Sequence, residues 1–184
     1  MIHLFALLSL LLCGVCYTGF QNSSHFHNTG NRRSLLFLVF GGALLLRLLL
    51  AYTTHGFSND IACFAAWADR IFTLGPGQFY SAEMFTDYPP GFMYVLYLIG
   101  ALRSLLQIPY YSDLHILLLK LPAILCDIAC GFLLHREAVK RLHFSDLQGI
   151  FAASAYLFQP AVFLQTAEHI PSFTAQLFGL HTIQ

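Results

Sequence analysis

Long apolar runs separated by short polar intervals organise this chain. Ser34 to Thr53 is a run of about twenty residues broken by one charge, Arg47. That length suffices to cross a hydrocarbon core of ~30 Å as a helix. Leu114 to Leu134 is a second such run, and Leu147 to Leu164 reads as a third. Beyond it, QPAVFLQTAEHIPSFTAQLFGLHTIQ begins what reads as one more apolar helix. Residues 1 to 19 are also apolar, with no basic residue ahead of the run. A secretory signal carries a positive leading segment, so an uncleaved membrane segment is expected there. The expected division is an N-terminal extension at 1–33, with an extra membrane segment, and an incomplete membrane module at 34–184.

One interval breaks this pattern. Phe57 to Tyr94 reads FSNDIACFAAWADRIFTLGPGQFYSAEMFTDYPPGFMY. It holds Asp60, Asp69, Glu83 and Asp87, four of the nine acidic residues, and the only Trp, Trp67. Chemistry concentrated in one connecting segment marks that segment as the working part. Ser58 or Asn59 can cap a helix beginning at Asp60. Asp60, Phe64, Trp67 and Ile71 fall on one face of it, and that apolar face suits a membrane surface. An acidic residue at a helix start is also favoured by the dipole alone, which gives Asp60 a purely structural reading. Leu74-Gly75-Pro76-Gly77 ends the helix, and Asp87-Tyr88-Pro89-Pro90-Gly91 is a rigid turn. The apolar stretch Phe92 to Leu106 that follows contains Gly100 and Arg103 and is short for a span.

Charge orients the runs. Arg32-Arg33 precede the first span, and HREAVKRLH, with Arg136, Lys140 and Arg141, follows the second. Basic loops stay in the cytoplasm. Both basic segments are cytoplasmic only if Phe92 to Leu106 lies on the outer surface rather than crossing. The loop from His55 to Ser112 is then external and His135 to His143 is a cytoplasmic loop. Arg32-Arg33 also argue against glycosylation of the Asn22-Ser23-Ser24 sequon.

Composition supports a membrane protein: 57% hydrophobic, 10% charged, mean hydropathy +0.65. A net charge of zero points to no nucleic-acid partner. Cys13, Cys16, Cys63, Cys126 and Cys130 lie mostly in apolar runs and are expected as buried small hydrophobes. Cys13 and Cys16 form a CxxC pair without the surroundings of a metal site. No GxGxxG, P-loop, HExxH or metal-cluster pattern occurs, so no cofactor is expected.

Ionisable residues inside apolar spans are costly and face a protein interior or watery cavity. Arg47 either snorkels to the interface or meets an anionic group. Lys120 and Asp127, seven residues apart, share a helical face. They are either neutralised through neighbouring helices or, for Lys120 above all, contact a charged substrate.

The order of these features resembles the N-terminal part of integral-membrane glycosyltransferases of the GT-C superfamily that use polyprenyl-phosphate sugars. The matching residues are Arg47 in LLRLLLA, NDIACFAAWA, GPGQFY, DYPPGFMY and LKLPAILCD, spread from about Leu35 to Ala167. The resemblance implies an all-α, polytopic transmembrane helix bundle, a partial GT-C module, with interfacial helices in the first external loop. It implies an external-loop Asp acting at the acceptor, and Asp60 stands at that position. The partners it implies are a polyprenyl- or dolichyl-phosphate sugar donor and membrane lipid. The location is then multi-pass integral membrane, in a bacterial cell membrane or alternatively the endoplasmic reticulum. Relatives commonly continue with SA-x-WGQ-x-DS; here QPAVFLQTA matches the approach, but EHIPSFT replaces the Trp-Gly-Gln-x-Asp run. Residues 1–184 alone are therefore expected to show no sugar transfer.

The chemistry needs little. A carboxylate takes the acceptor hydroxyl proton while the sugar carbon is attacked. Asp60 fits that base, Arg47 or Lys120 the lipid phosphate, and Tyr88 with Pro89-Pro90 the wall of the pocket. Asp87 either orients that turn or only caps it. The competing expectation is a non-enzymatic membrane protein, a transporter fragment or scaffold, with DYPPG a structural corner.

Overall fold

The computed structural model describes residues 29–159 apart from 57, 81–85 and 87, with isolated positions at 11, 14, 18 and 162. The expectations for residues 1–19, the Asn22 sequon, Cys13, Cys16, Asp87 and the last apolar segment lie outside the described residues.

Every regular element among the described residues is helical: α1 Thr29–Thr53, α2 Ser58–Leu74, a 3-10 turn Pro76–Gln78, α3 Pro90–Leu105, α4 Asp113–Lys140 and α5 Asp146–Leu157. Among the described residues two stretches are long and apolar enough to cross a membrane, Arg32–Thr53 and Asp113–Lys140. At 16 residues, α3 is about 24 Å long, short of a ~30 Å core.

Two expectations about the elements are corrected. His135 to Lys140 is the last part of α4 rather than a loop, because nothing in HREAVK breaks a helix. The expected span from Leu147 is a helix of only 12 residues, Asp146–Leu157. Gln159 precedes Pro160, and a residue before proline is pushed away from helical backbone. A capping box at the other end, with the Ser145 hydroxyl accepting from Gln148 N–H, fixes where α5 starts.

The chain divides into two compact units, with boundaries after Leu50 and Pro122. In the first, α1 from Thr29 to Leu50 packs with the later part of α4 and α5 around Val39, Ala43, Ile150, Leu157 and Phe158. Glycines allow the close α4–α5 approach. A Cβ on Gly131 would lie 2.8 Å from the Leu157 side chain, and one on Gly149 would lie 2.7 Å from Val139.

The second unit holds α2, the 3-10 turn, α3 and the start of α4. Ile61, Phe64, Ala65, Trp67, Ala68 and Ile71 are buried along α2, the i, i+3, i+4, i+7 spacing of an inward helix face. They meet Met93, Leu96 and Ile99 of α3, Phe79, and Ile116 and Leu119 of α4. The Phe64–Trp67–Ile71 face is therefore buried in protein, which corrects its placement on a membrane surface. The reason is complementarity: α3 offers its own apolar face to cover it. Gly75, at φ +80°, ends α2 in the backbone region that glycine tolerates best.

The cysteine expectation is also corrected. Cys63, Cys126 and Cys130 are exposed. Cys126 and Cys130 share their helix with exposed Leu125, Phe132 and Leu133. The outward surface of α4 is thus as apolar as an inward one, and burial does not follow from an apolar run.

Candidate active site

Asp60 lies in the first turn of α2, which begins two residues earlier than expected, at Ser58. Its side chain is half-buried. Among the described residues the carboxylate has no hydrogen-bond or ion-pair partner. One turn further on, the Phe64 ring packs edge-to-face on Trp67, Tyr88 and Phe92, with centroids 5.4, 5.0 and 5.5 Å away. The Tyr88 ring also meets Phe92 at a tilt, with centroids 5.2 Å apart, and its carbonyl accepts from the Tyr80 hydroxyl at 3.2 Å. Asp60 and Tyr88 are thus brought to one end of the same core. Each buried side chain of this face contributes about 1.5–3 kcal/mol, against ~0.3–1 kcal/mol for an acidic residue at a helix start. Packing therefore sets the helix, and Asp60 is carried into place by it.

The hairpin of α2 and α3 has a second fastening that the sequence did not single out. Arg103 on α3 pairs with Asp69 on α2, donates to the Ile108 carbonyl at 3.4 Å and faces the Tyr110 ring at 5.7 Å. Asp69 looks like an exposed turn residue in sequence, yet it is one half of this pair. Beside it, His115 is fully buried. Its Nδ1 accepts the Tyr111 backbone N–H at 3.1 Å, so the proton of the neutral ring sits on Nε2. Only the Gly100 and Arg103 interruption of the apolar run hinted at this contact.

Lys120 belongs to this unit and is buried. Its ammonium donates to the Thr54 carbonyl at 2.6 Å and the Ala51 carbonyl at 3.4 Å. It closes the C-terminal end of α1, where a cation suits the dipole. Arg47 belongs to the other unit and is also buried. Its Nη2 donates to the Leu157 carbonyl at 2.7 Å, and its Nε lies 3.6 Å from the Asp127 carboxylate. The Tyr156 hydroxyl donates to Asp127 at 3.5 Å. Arg47 therefore does not snorkel. The anionic group it meets is Asp127, and it caps α5 as Lys120 caps α1. Asp127 is neutralised by Arg47 of a neighbouring helix, while Lys120 is held by backbone carbonyls at the end of α1.

Among the described residues no group of three or more His, Cys, Asp and Glu side chains is arranged to hold a metal ion. Comparison with family models, curated proteins and solved structures finds no match to this chain.

Proposed function

We propose that this chain belongs to a polytopic membrane glycosyltransferase of the GT-C kind, in the bacterial cell membrane or, alternatively, the endoplasmic reticulum. It transfers a hexose from a polyprenyl-phosphate sugar to an acceptor at the external face. The supporting observation is Asp60: a half-buried carboxylate with no partner among the described residues, carried on a helix whose position a core and an ion pair fix. Such a carboxylate is available to a ligand, and pre-positioning is what a general base requires. In the reaction, Asp60 accepts the acceptor's hydroxyl proton as that oxygen bonds to the anomeric carbon. The bond from that carbon to the phosphate oxygen breaks, and the polyprenyl phosphate leaves with its electron pair. Tyr88 and Phe92 edge the place where sugar or acceptor would sit.

The competing reading, a non-enzymatic membrane protein, gains from Arg47 and Lys120, whose contacts are internal caps rather than an open phosphate site. Asp60 separates the two. Asp60→Asn keeps size and a capping oxygen but removes the base. In a form carrying the later spans that the resemblance implies, turnover should fall by about 10²–10⁴-fold, with thermal stability nearly unchanged. Asp113→Asn, an exposed helix-start acid paired with His55, is the control and should keep most activity. Near-normal turnover by Asp60→Asn would leave Asp60 a helix-end charge and move the search to Asp87.

A further inference from the structure

We infer that one end of the first unit is a docking surface for anionic phospholipid headgroups. This rests on the membrane reading of α1 and α4. Within that unit the two helices run antiparallel. The Phe40 and Phe132 rings meet with centroids 6.4 Å apart, and Arg47 meets Asp127 further along α1. Arg33 lies seven residues before Phe40, about 10 Å along α1, and Lys140 lies eight residues after Phe132, about 12 Å along α4. They stand at the same level. The Arg32–Asp146 pair at 3.4 Å brings the start of α5 to that level as well.

The charge there is one-sided. Arg32, Arg33, Arg136, Lys140 and Arg141 are set against Glu137 and Asp146. Both acids are already engaged, Asp146 by Arg32 and Glu137 by Arg141 at 2.6 Å. Arg33, Arg136 and Lys140 remain as exposed cations. Next to them the surface turns apolar. Phe37 is 75% exposed and Leu38 70%, with Phe132, Leu133 and Leu134 opposite on α4. In the turn after α4, Leu142 and Phe144 are exposed as well. A ring of unspent cations at the rim of an exposed apolar band matches a phosphodiester headgroup above its acyl chains. A soluble polyanion would match the cations but leave the band uncovered, so the lipid is the better fit.

Spin-labelled phosphatidylglycerol and phosphatidylcholine, in bilayers reconstituted with the full 184-residue chain, test this. The motionally restricted part of each spectrum gives the relative association constant. The wild type should favour phosphatidylglycerol by about fivefold, the worth of one cation at a headgroup. Arg33→Gln/Arg136→Gln/Lys140→Gln should bring the ratio near one, as should ~1 M salt. Lysine at positions 33 and 136 should keep it. Equal association of both lipids with the wild type would overturn the inference and leave the membrane reading intact. So would a preference unchanged in the triple variant, or one competed away by water-soluble glycerophosphoglycerol. A chain that yields no restricted component with either lipid would overturn the membrane reading and the inference together.

Discussion

Arg47 and Lys120 stand in apolar runs, where a charge demands a partner, and each finds it at the C-terminal end of another helix. The sequence displays both cations and Asp127 but not the carbonyls that the cations meet. Ala43, Ala51, Thr54 and Leu157 supply backbone carbonyls, and carbonyls leave no trace in residue type. Asp127 tests how much the ion pair matters. Removing one partner of a fully buried pair costs about 3–5 kcal/mol, and Asp127 keeps 22% of its side chain exposed. Asp127→Asn should therefore cost somewhat less, about 2–3 kcal/mol. Arg47→Met should cost more, because it also leaves the Leu157 carbonyl unpaired. Thermal unfolding in detergent should rank the wild type first, Asp127→Asn second and Arg47→Met last. Equal Tm values for all three would show the pair to be incidental.

At the level of elements, the hairpin of α2 and α3 depends on how closely its helices approach. Gly100 faces Ala68 and Phe72, and a Cβ there would lie 2.8 Å from the Phe72 Cβ and nearer still to the Ala68 carbonyl. Backbone cannot yield as a side-chain tip can, so Gly100→Ala should cost about 1–3 kcal/mol through overpacking. This loss should outweigh the ~1 kcal/mol that alanine gains over glycine in a helix. Chemical denaturation of the purified chain reads the sign directly, and a Gly100→Ala protein more stable than the wild type would contradict this packing. The periodicity of α2 was legible, since Phe64, Trp67 and Ile71 share one face. What covers that face was not, because a membrane surface and a second helix ask for the same residues. Hydrophobicity alone likewise carried the α5 reading too far, although Gln159-Pro160 already held the stop signal.

For the whole molecule, in chain order, two helices among the described residues that are long and apolar enough to cross a membrane come before and after a pair of helices packed on each other. The distribution of Arg and Lys predicts opposite sides for the residues between them and the residues after α4. Asp60 can meet an emerging lipid-linked sugar only if that prediction holds, and the basic rim can meet cytoplasmic anionic lipid only on the same condition. Single cysteines test it, placed in a chain whose five native cysteines are replaced by serine. Gln78 serves for the external segment, being exposed in the turn after α2. Leu142 serves for the other side, because it is 62% exposed whereas nearby Ala138 is buried. A membrane-impermeant maleimide added to intact cells should label Gln78→Cys and should label Leu142→Cys only after permeabilisation. Labelling of Leu142→Cys from outside intact cells, or of neither site until the membrane is opened, would contradict the account.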